Sequence, residues 1–251
     1  MCTASLIELQ GNTPGYRLVF NRDELRSRAP GEEPRWREFA GTRALAPLDP
    51  DSGGTWIAVN ERGMTLAVTN VNPRPVPVLP HASSLKSRGS IVPTLISSGS
   101  AHEAVASISD GQLGVFAPFR LLAIDLTPRG MRLVEGIWDR VKWRVIDHSA
   151  LPVCFASSGL GDERVAGRLE LFRACDVQTS KDQDAFHTHR WPTRPEVSVL
   201  MSRDDARTVS ITRVEVRKLE GSPDVQIAYK ALTTDEVEVV GGGFEHANGI
   251  R

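Results

Sequence analysis

The chain has 251 residues, enough for one large α/β domain, and its 30 Lys+Arg balance 31 Asp+Glu for a net charge of −1, which excludes the basic excess of a nucleic-acid or acidic-membrane binder. Cys2, Cys154 and Cys175 are an odd number in no metal-like spacing, which argues against a disulfide framework and fits a reducing compartment. With no apolar run near the ~18–20 residues of a membrane span and no secretion signal, the expectation is a cytoplasmic protein folded as a single domain over 1–251.

Ser5 to Leu9 and Tyr16 to Phe20 predict two strands joined by the turn-rich Gly11-Asn12-Thr13-Pro14-Gly15, a hairpin that ties the N-terminus into a sheet. At the end of its second strand stand Asn21, Arg22, Asp23 and Glu24. Side chains alternate along a strand, so Asn21 and Asp23 should share one face and Arg22 and Glu24 the other. Cys2 lies beside them. If Met1 is removed, the free α-amine of Cys2, which titrates near pH ~7.7–8, becomes a base for the thiol of its own residue.

Arg26 to Pro50 reads as a long charged stretch, either a lid over a pocket or a surface loop pinned by Trp36. Trp56 to Asn60 and Met64 to Val68 form a hairpin around Glu61-Arg62-Gly63, and its second strand runs into Thr69-Asn70. The four prolines between Asn72 and Pro80 demand an extended crossing rather than a central strand. Short helices follow over Ser90 to Ser97 and from Ser100, where Glu103 has capping-box spacing and His102 sits exposed in the first turn. Phe119 to Asp125, Met131 to Trp138, Trp143 to Ile146 and Val153 to Ala156 are strand-like.

Asp162 is expected to cap a helix whose Val165, Leu169 and Phe172 make one apolar stripe on a charged rod. Cys154 and Cys175 read as structural. His187 and His189 have the spacing of metal ligands but no visible third partner, so no metal is assigned and a solvated loop is expected. Alternation at Val197, Val199 and Met201, at Val209 to Val216 and at Val225 to Tyr229 predicts antiparallel strands; a flexible tail begins at about residue 241. Strands, then helices, then strands suit an α+β arrangement of two sheets with helices packed outside.

Met1-Cys2, Asn21-Arg22-Asp23-Glu24, Gly53-Gly54-Thr55-Trp56, the Gly63 turn, Thr69-Asn70, Ala123-Ile124-Asp125-Leu126 and Thr193-Arg194, in this order, resemble the NRDE-motif family of the transport and Golgi organisation type. The likeness runs from Cys2 to about Val216. That family resembles the N-terminal-nucleophile hydrolases, which implies a four-layer αββα sandwich. It further implies an amidohydrolase acting on a non-peptide amide, with Cys2 as nucleophile, Asp23 as partner of the amine and Asn70 as oxyanion donor. Asn21 and Arg194 complete the catalytic candidates, and Arg22, Ser158 and Trp56 are the substrate-binding ones. Two positions depart from the hydrolase pattern: Arg22 and Asp23 are adjacent, and Ser157-Ser158 stands where a second asparagine is expected. A serine hydroxyl has shorter reach than an amide.

The same resemblance carries an alternative, non-catalytic binding and trafficking of haem or an acyl-type ligand. There Cys2 is a candidate iron ligand, with Arg22 or Arg194 pairing an acidic group. The expected partner is a small-molecule substrate, needing no cofactor, or an apolar acid-bearing ligand such as haem. No nucleic acid and no membrane span are expected, and the sequence leaves the oligomeric state open.

Overall fold

The computed structural model describes residues 2–233 apart from Gln10 and Asn12, together with Glu236. The expectations about Met1 removal and about a tail from residue 241 concern residues outside these.

In chain order the strands are β1 (Cys2–Glu8), β2 (Gly15–Leu25), β3 (Glu32–Phe39), β4 (Thr42–Leu48), β5 (Ile57–Asn60) and β6 (Thr65–Asn70). Three short helices follow, α1 (Ile91–Leu95), α2 (Ala101–Ala106) and α3 (Asp110–Leu113). Next come β7 (Phe119–Thr127), β8 (Gly130–Trp138), β9 (Trp143–His148) and β10 (Val153–Ser157), then α4 (Ala166–Ala174) and α5 (Ser180–His187). The chain closes on β11 (Ala206–Arg217) and β12 (Asp224–Ala231).

Among the described residues the strands make two antiparallel sheets, one in the order β10-β1-β2-β11-β12 and one running β3 through β9 in sequence. Helices α4 and α5 pack on the first sheet, and α1 and α2 on the second. The result is the expected four-layer αββα sandwich. One apolar cluster joins Ala4, Leu6, Leu18 and Phe20 of the first sheet to Ile57, Leu66, Leu121 and Leu122 of the second. Tyr16 adds a polar tie: its hydroxyl donates to the Gly63 carbonyl at 2.9 Å and meets Thr65 Oγ1 at 2.7 Å.

Strand β2 is buried on both faces over most of its length, as a central strand covered by a helix layer must be. Its odd-numbered side chains Arg17, Val19, Asn21 and Asp23 lie toward the helices, and many of them are polar. Arg17 donates to Gln183 and Asp184 of α5 at 2.9–3.0 Å, so polar helix residues complete this layer alongside the apolar Phe172 and Phe186.

Three sequence expectations need correction. Arg26 to Pro50 is not a loop, because β3 and β4 fill most of it. β3 is an edge strand, which tolerates Pro34, and Trp36 is pinned beneath the Arg43 guanidinium 5.1 Å from its ring. Val197 to Met201 is not a strand but an irregular run packed on the outer face of β1 and β2. Asp162 does not cap α4. Its carboxylate accepts from the Asn72 and Ser158 backbone N–H groups, and a 3-10 turn intervenes before the helix begins.

Candidate functional site

The Asn-Arg-Asp-Glu run lies inside β2, and the alternation separates it into two pairs with different surroundings. Cys2 is the register partner of Arg22, and Thr3 that of Asn21, so Cys2 and Arg22 share the inter-sheet face while Thr3, Asn21 and Asp23 face the helices. The expected pairing of Asn21 with Asp23, and of Arg22 with Glu24, is what the structure has. A bulge between Thr208 and Ser210 on β11 sets the strand end so that Thr208 stands opposite Asp23.

On the inter-sheet face a cavity of about 310 Å³ opens where β1 begins and β6 ends. Cys2, Asp23, Trp56 and Asn70 border it, with Arg22, Glu24, Arg28 and Asp49 on one side and the segment Leu85 to Gly89 on another. Cys2 is 7% exposed, and its backbone nitrogen donates to Ser157 Oγ at 3.1 Å. Asn70 is half-buried, and its amide has no hydrogen-bond partner among the described residues. An unengaged amide lining the same cavity as a thiol is available to a carbonyl oxygen held there.

Arg22 does not offer its charge to a ligand. Its guanidinium stacks 4.5 Å from the Trp56 ring and is bound to Asp49 at 3.0 Å and to Glu24 at 3.4 Å. Arg28 shares the same Asp49 oxygen at 2.7 Å. These two cations are neutralised within the wall.

On the helix face, Asp23 is held from two sides. Arg168 Nη1 lies 3.1 Å from its Oδ2, and Thr208 Oγ1 donates to its Oδ1 at 2.7 Å. The same Arg168 Nη1 also donates to Thr3 Oγ1, and Nε to the Val197 carbonyl. Arg168 is therefore the arginine that Asp23 meets, and sequence reasoning missed it. Within α4 it looks like one more charge on a solvated rod, yet it is 1% exposed. The only sequence signal is its place next to Leu169 in the apolar stripe.

Asn21 does not reach the cavity. Its Nδ2 donates to the carbonyls of His187 and Val199 at 2.9 and 3.0 Å, which leaves Oδ1 to accept from His187 Nδ1 at 2.8 Å. His187 thus carries its proton on Nδ1, and Nε2 accepts from Ser5 Oγ at 2.7 Å. Burial, reinforced by Arg213, Arg17 and Arg168, holds the His187 pKa well below the usual imidazole value. His187 is a buried member of α5, not a solvated loop residue, and Asn21 positions the helix rather than a substrate.

Arg194 is exposed, stacks at 5.3 Å on Trp191 and does not line the cavity. Ser158 is buried beside Asp162, outside the cavity wall; Ser157 is the serine that meets the Cys2 nitrogen. Burial raises the pKa of the Cys2 thiol and Asp23 adds to the rise; the opposing pulls, those of Arg22 and the Asp23 backbone N–H among them, do not reverse it. Among the described residues no three metal-ligating side chains come together.

A family model described as Transport and Golgi organisation 2 matches residues 1–147. A search of curated proteins found no match to the chain. Among solved structures, an N-acylethanolamine-hydrolysing acid amidase orthologue from Caenorhabditis elegans superposes with a TM-score of 0.54 at 9% identity, covering 84% of this chain and 91% of that one. A conjugated bile acid hydrolase from Clostridium perfringens gives a TM-score of 0.47 at 10% identity, covering 99% of this chain and 100% of that one. The amidase likeness establishes the shared sandwich.

Proposed function

The chain belongs to the Transport and Golgi organisation 2 family, and on that footing we propose that it is an amidohydrolase cleaving a non-peptide C–N bond with Cys2 as nucleophile. The observation that carries this reading is the position of Cys2 at the head of β1, where its thiol borders a cavity together with the unengaged amide of Asn70. The reading requires that nothing precede Cys2 in the working protein, so that its nitrogen is an amine rather than an amide. Ser157 Oγ, already bonded to that nitrogen, would then orient the amine.

In the proposed cycle the α-amine takes the thiol proton as Sγ attacks the amide carbon. Asn70 donates to the developing oxyanion. Collapse breaks the C–N bond, the amine returns the proton to the leaving nitrogen, and water then hydrolyses the thioester. A raised thiol pKa fits this scheme, because a neutral thiol needs a base at hand. Asp23, fixed by Arg168 and Thr208, acts by holding the end of β2 and its backbone N–H against the thiol.

A second reading, binding of haem or an acyl-type ligand without turnover, draws on the serine that replaces the second amide and on the same buried thiol. Protein confirmed by intact mass to begin at Cys2 is incubated with a panel of N-acyl amides and, separately, titrated with haemin. The proposal expects turnover that Cys2→Ser slows severely. Turnover indifferent to that change would rule out Cys2 as the nucleophile, and silence combined with a saturable, Cys2-dependent haemin spectrum would replace the proposal with the second reading.

A further inference from the structure

Of the four cations on the cavity wall, Arg22 and Arg28 are bound to Asp49 and Glu24 and Lys86 is exposed to solvent, whereas the more covered Arg88 has no carboxylate partner among the described residues. Its Nη1 donates to the Pro118 carbonyl at 3.0 Å, and its Nε and Nη2 make no hydrogen bond to described residues. Burial draws its pKa down, with Cys2 and Glu24 acting in the opposite direction. A guanidinium starts so high that it stays charged at neutral pH. A largely covered cation with two idle donors is an incomplete site, since buried charges are ordinarily paired.

Arg88 also stands on a boundary. With Ala117 it borders both the Cys2 cavity and a second one of about 240 Å³, which is walled by Val71, Pro73, Val76, Pro77, Leu79 and Pro118. The order along the surface is therefore thiol, free cation, apolar recess.

We propose that the substrate is an N-acyl derivative of an apolar α-amino acid, with its amide carbonyl at Cys2, its carboxylate on Arg88 and its side chain in the proline-lined recess. This deepens the amidohydrolase reading and takes from it the placement of the carbonyl. Cleavage transfers the acyl group to Sγ, breaks the C–N bond, and releases the amino acid with the proton on its nitrogen; water then frees the fatty acid from the thioester.

The test measures binding, so it does not depend on turnover. Full-length protein carrying Cys2→Ala is titrated calorimetrically with N-octanoyl-leucine, with its uncharged carboxamide, and with N-octanoyl-glycine. The carboxylate should bind about 10–100-fold more tightly than the carboxamide, the span expected of a charge-assisted contact. Arg88→Gln should erase that preference, and Arg88→Lys, which keeps the charge without the fork, should retain part of it. The leucine derivative should also bind more tightly than the glycine one. Equal affinity of acid and carboxamide, a preference that survives Arg88→Gln, absent binding of all three, or no gain from the leucine side chain would each overturn the proposal. Charge preference of the expected kind in a protein whose Cys2 form never hydrolyses N-octanoyl-leucine would instead sink the amidohydrolase reading and leave the Arg88 site standing.

Discussion

Arg168 Nη1 lies 3.1 Å from Asp23 Oδ2 with both side chains almost wholly out of water, 1% and 0% exposed. This pair locks α4 to the end of β2, one layer behind the cavity. Breaking a buried pair by removing one partner leaves the other charge without compensation, at a cost of about 3–5 kcal/mol. Arg168→Met or Asp23→Asn should therefore lower the urea midpoint strongly. The double variant should lose less than the two single losses added together, because the same contact is removed only once. Strict additivity would show that the two residues are not coupled.

His187 supplies a pH signature. Its folded pKa lies below its unfolded value of ~6.5, so the unfolded chain binds a proton that the native one refuses. Stability from this residue is complete above about pH 6.5 and declines as pH falls below it, by up to ~1.4 kcal/mol per pH unit. Asp184, whose pKa is lowered because its bonds to Arg213 and Arg17 outweigh burial, acts in a separate acidic window, below the ~3.9 of an unfolded aspartate. Urea titrations from pH 7.5 to 5 should show the first decline, and His187→Gln should flatten it. A flat profile in the parent protein would contradict the neutral, Nδ1-protonated His187.

The β1–β2 hairpin and the two-sided use of Asn21 to Glu24 were readable because strand alternation is a local rule. So was Tyr229 on the last alternating strand. What escaped was decided by partners distant in sequence. Arg168 looks solvated until Asp23 and Thr3 are brought beneath it. Asn21 looks available for chemistry until the carbonyls of His187 and Val199 occupy its amide. Arg88 carries no motif at all; its meaning comes from Glu24 and Asp49 being consumed by other arginines. Glu32 to Phe39 hid as a strand because an exposed edge strand bears charges on either side.

Thiol labelling separates the three cysteines. Cys154 is half-buried with its pKa pushed up to about 12 by desolvation, and Cys175 is exposed. In protein that retains Met1, iodoacetamide near neutral pH should reach Cys175 first and leave Cys154 last. Removal of Met1 should move Cys2 ahead of Cys175, since the new amine takes the thiol proton. Peptide mass spectrometry over a time course reads the order. An unchanged rank after removal would mean that the amine does not activate the thiol.

Asn70 should matter to rate more than to binding. Once a turned-over amide is in hand, Asn70→Ala should lower kcat by about 10²–10³ while KM shifts little, the pattern of a donor aimed at the oxyanion. A rise in KM alone would assign Asn70 to ground-state binding.

The central claim is that Cys2 forms the covalent intermediate. Protein beginning at Cys2 is mixed with a chromogenic N-acyl anilide, quenched in acid within the first turnover, and digested for peptide mass spectrometry. The account predicts one acyl group, found on the peptide that starts at Cys2 and absent when Met1 is retained. Release of the aniline with no acyl group on that peptide, or with the group on Cys154 or Cys175, would contradict it.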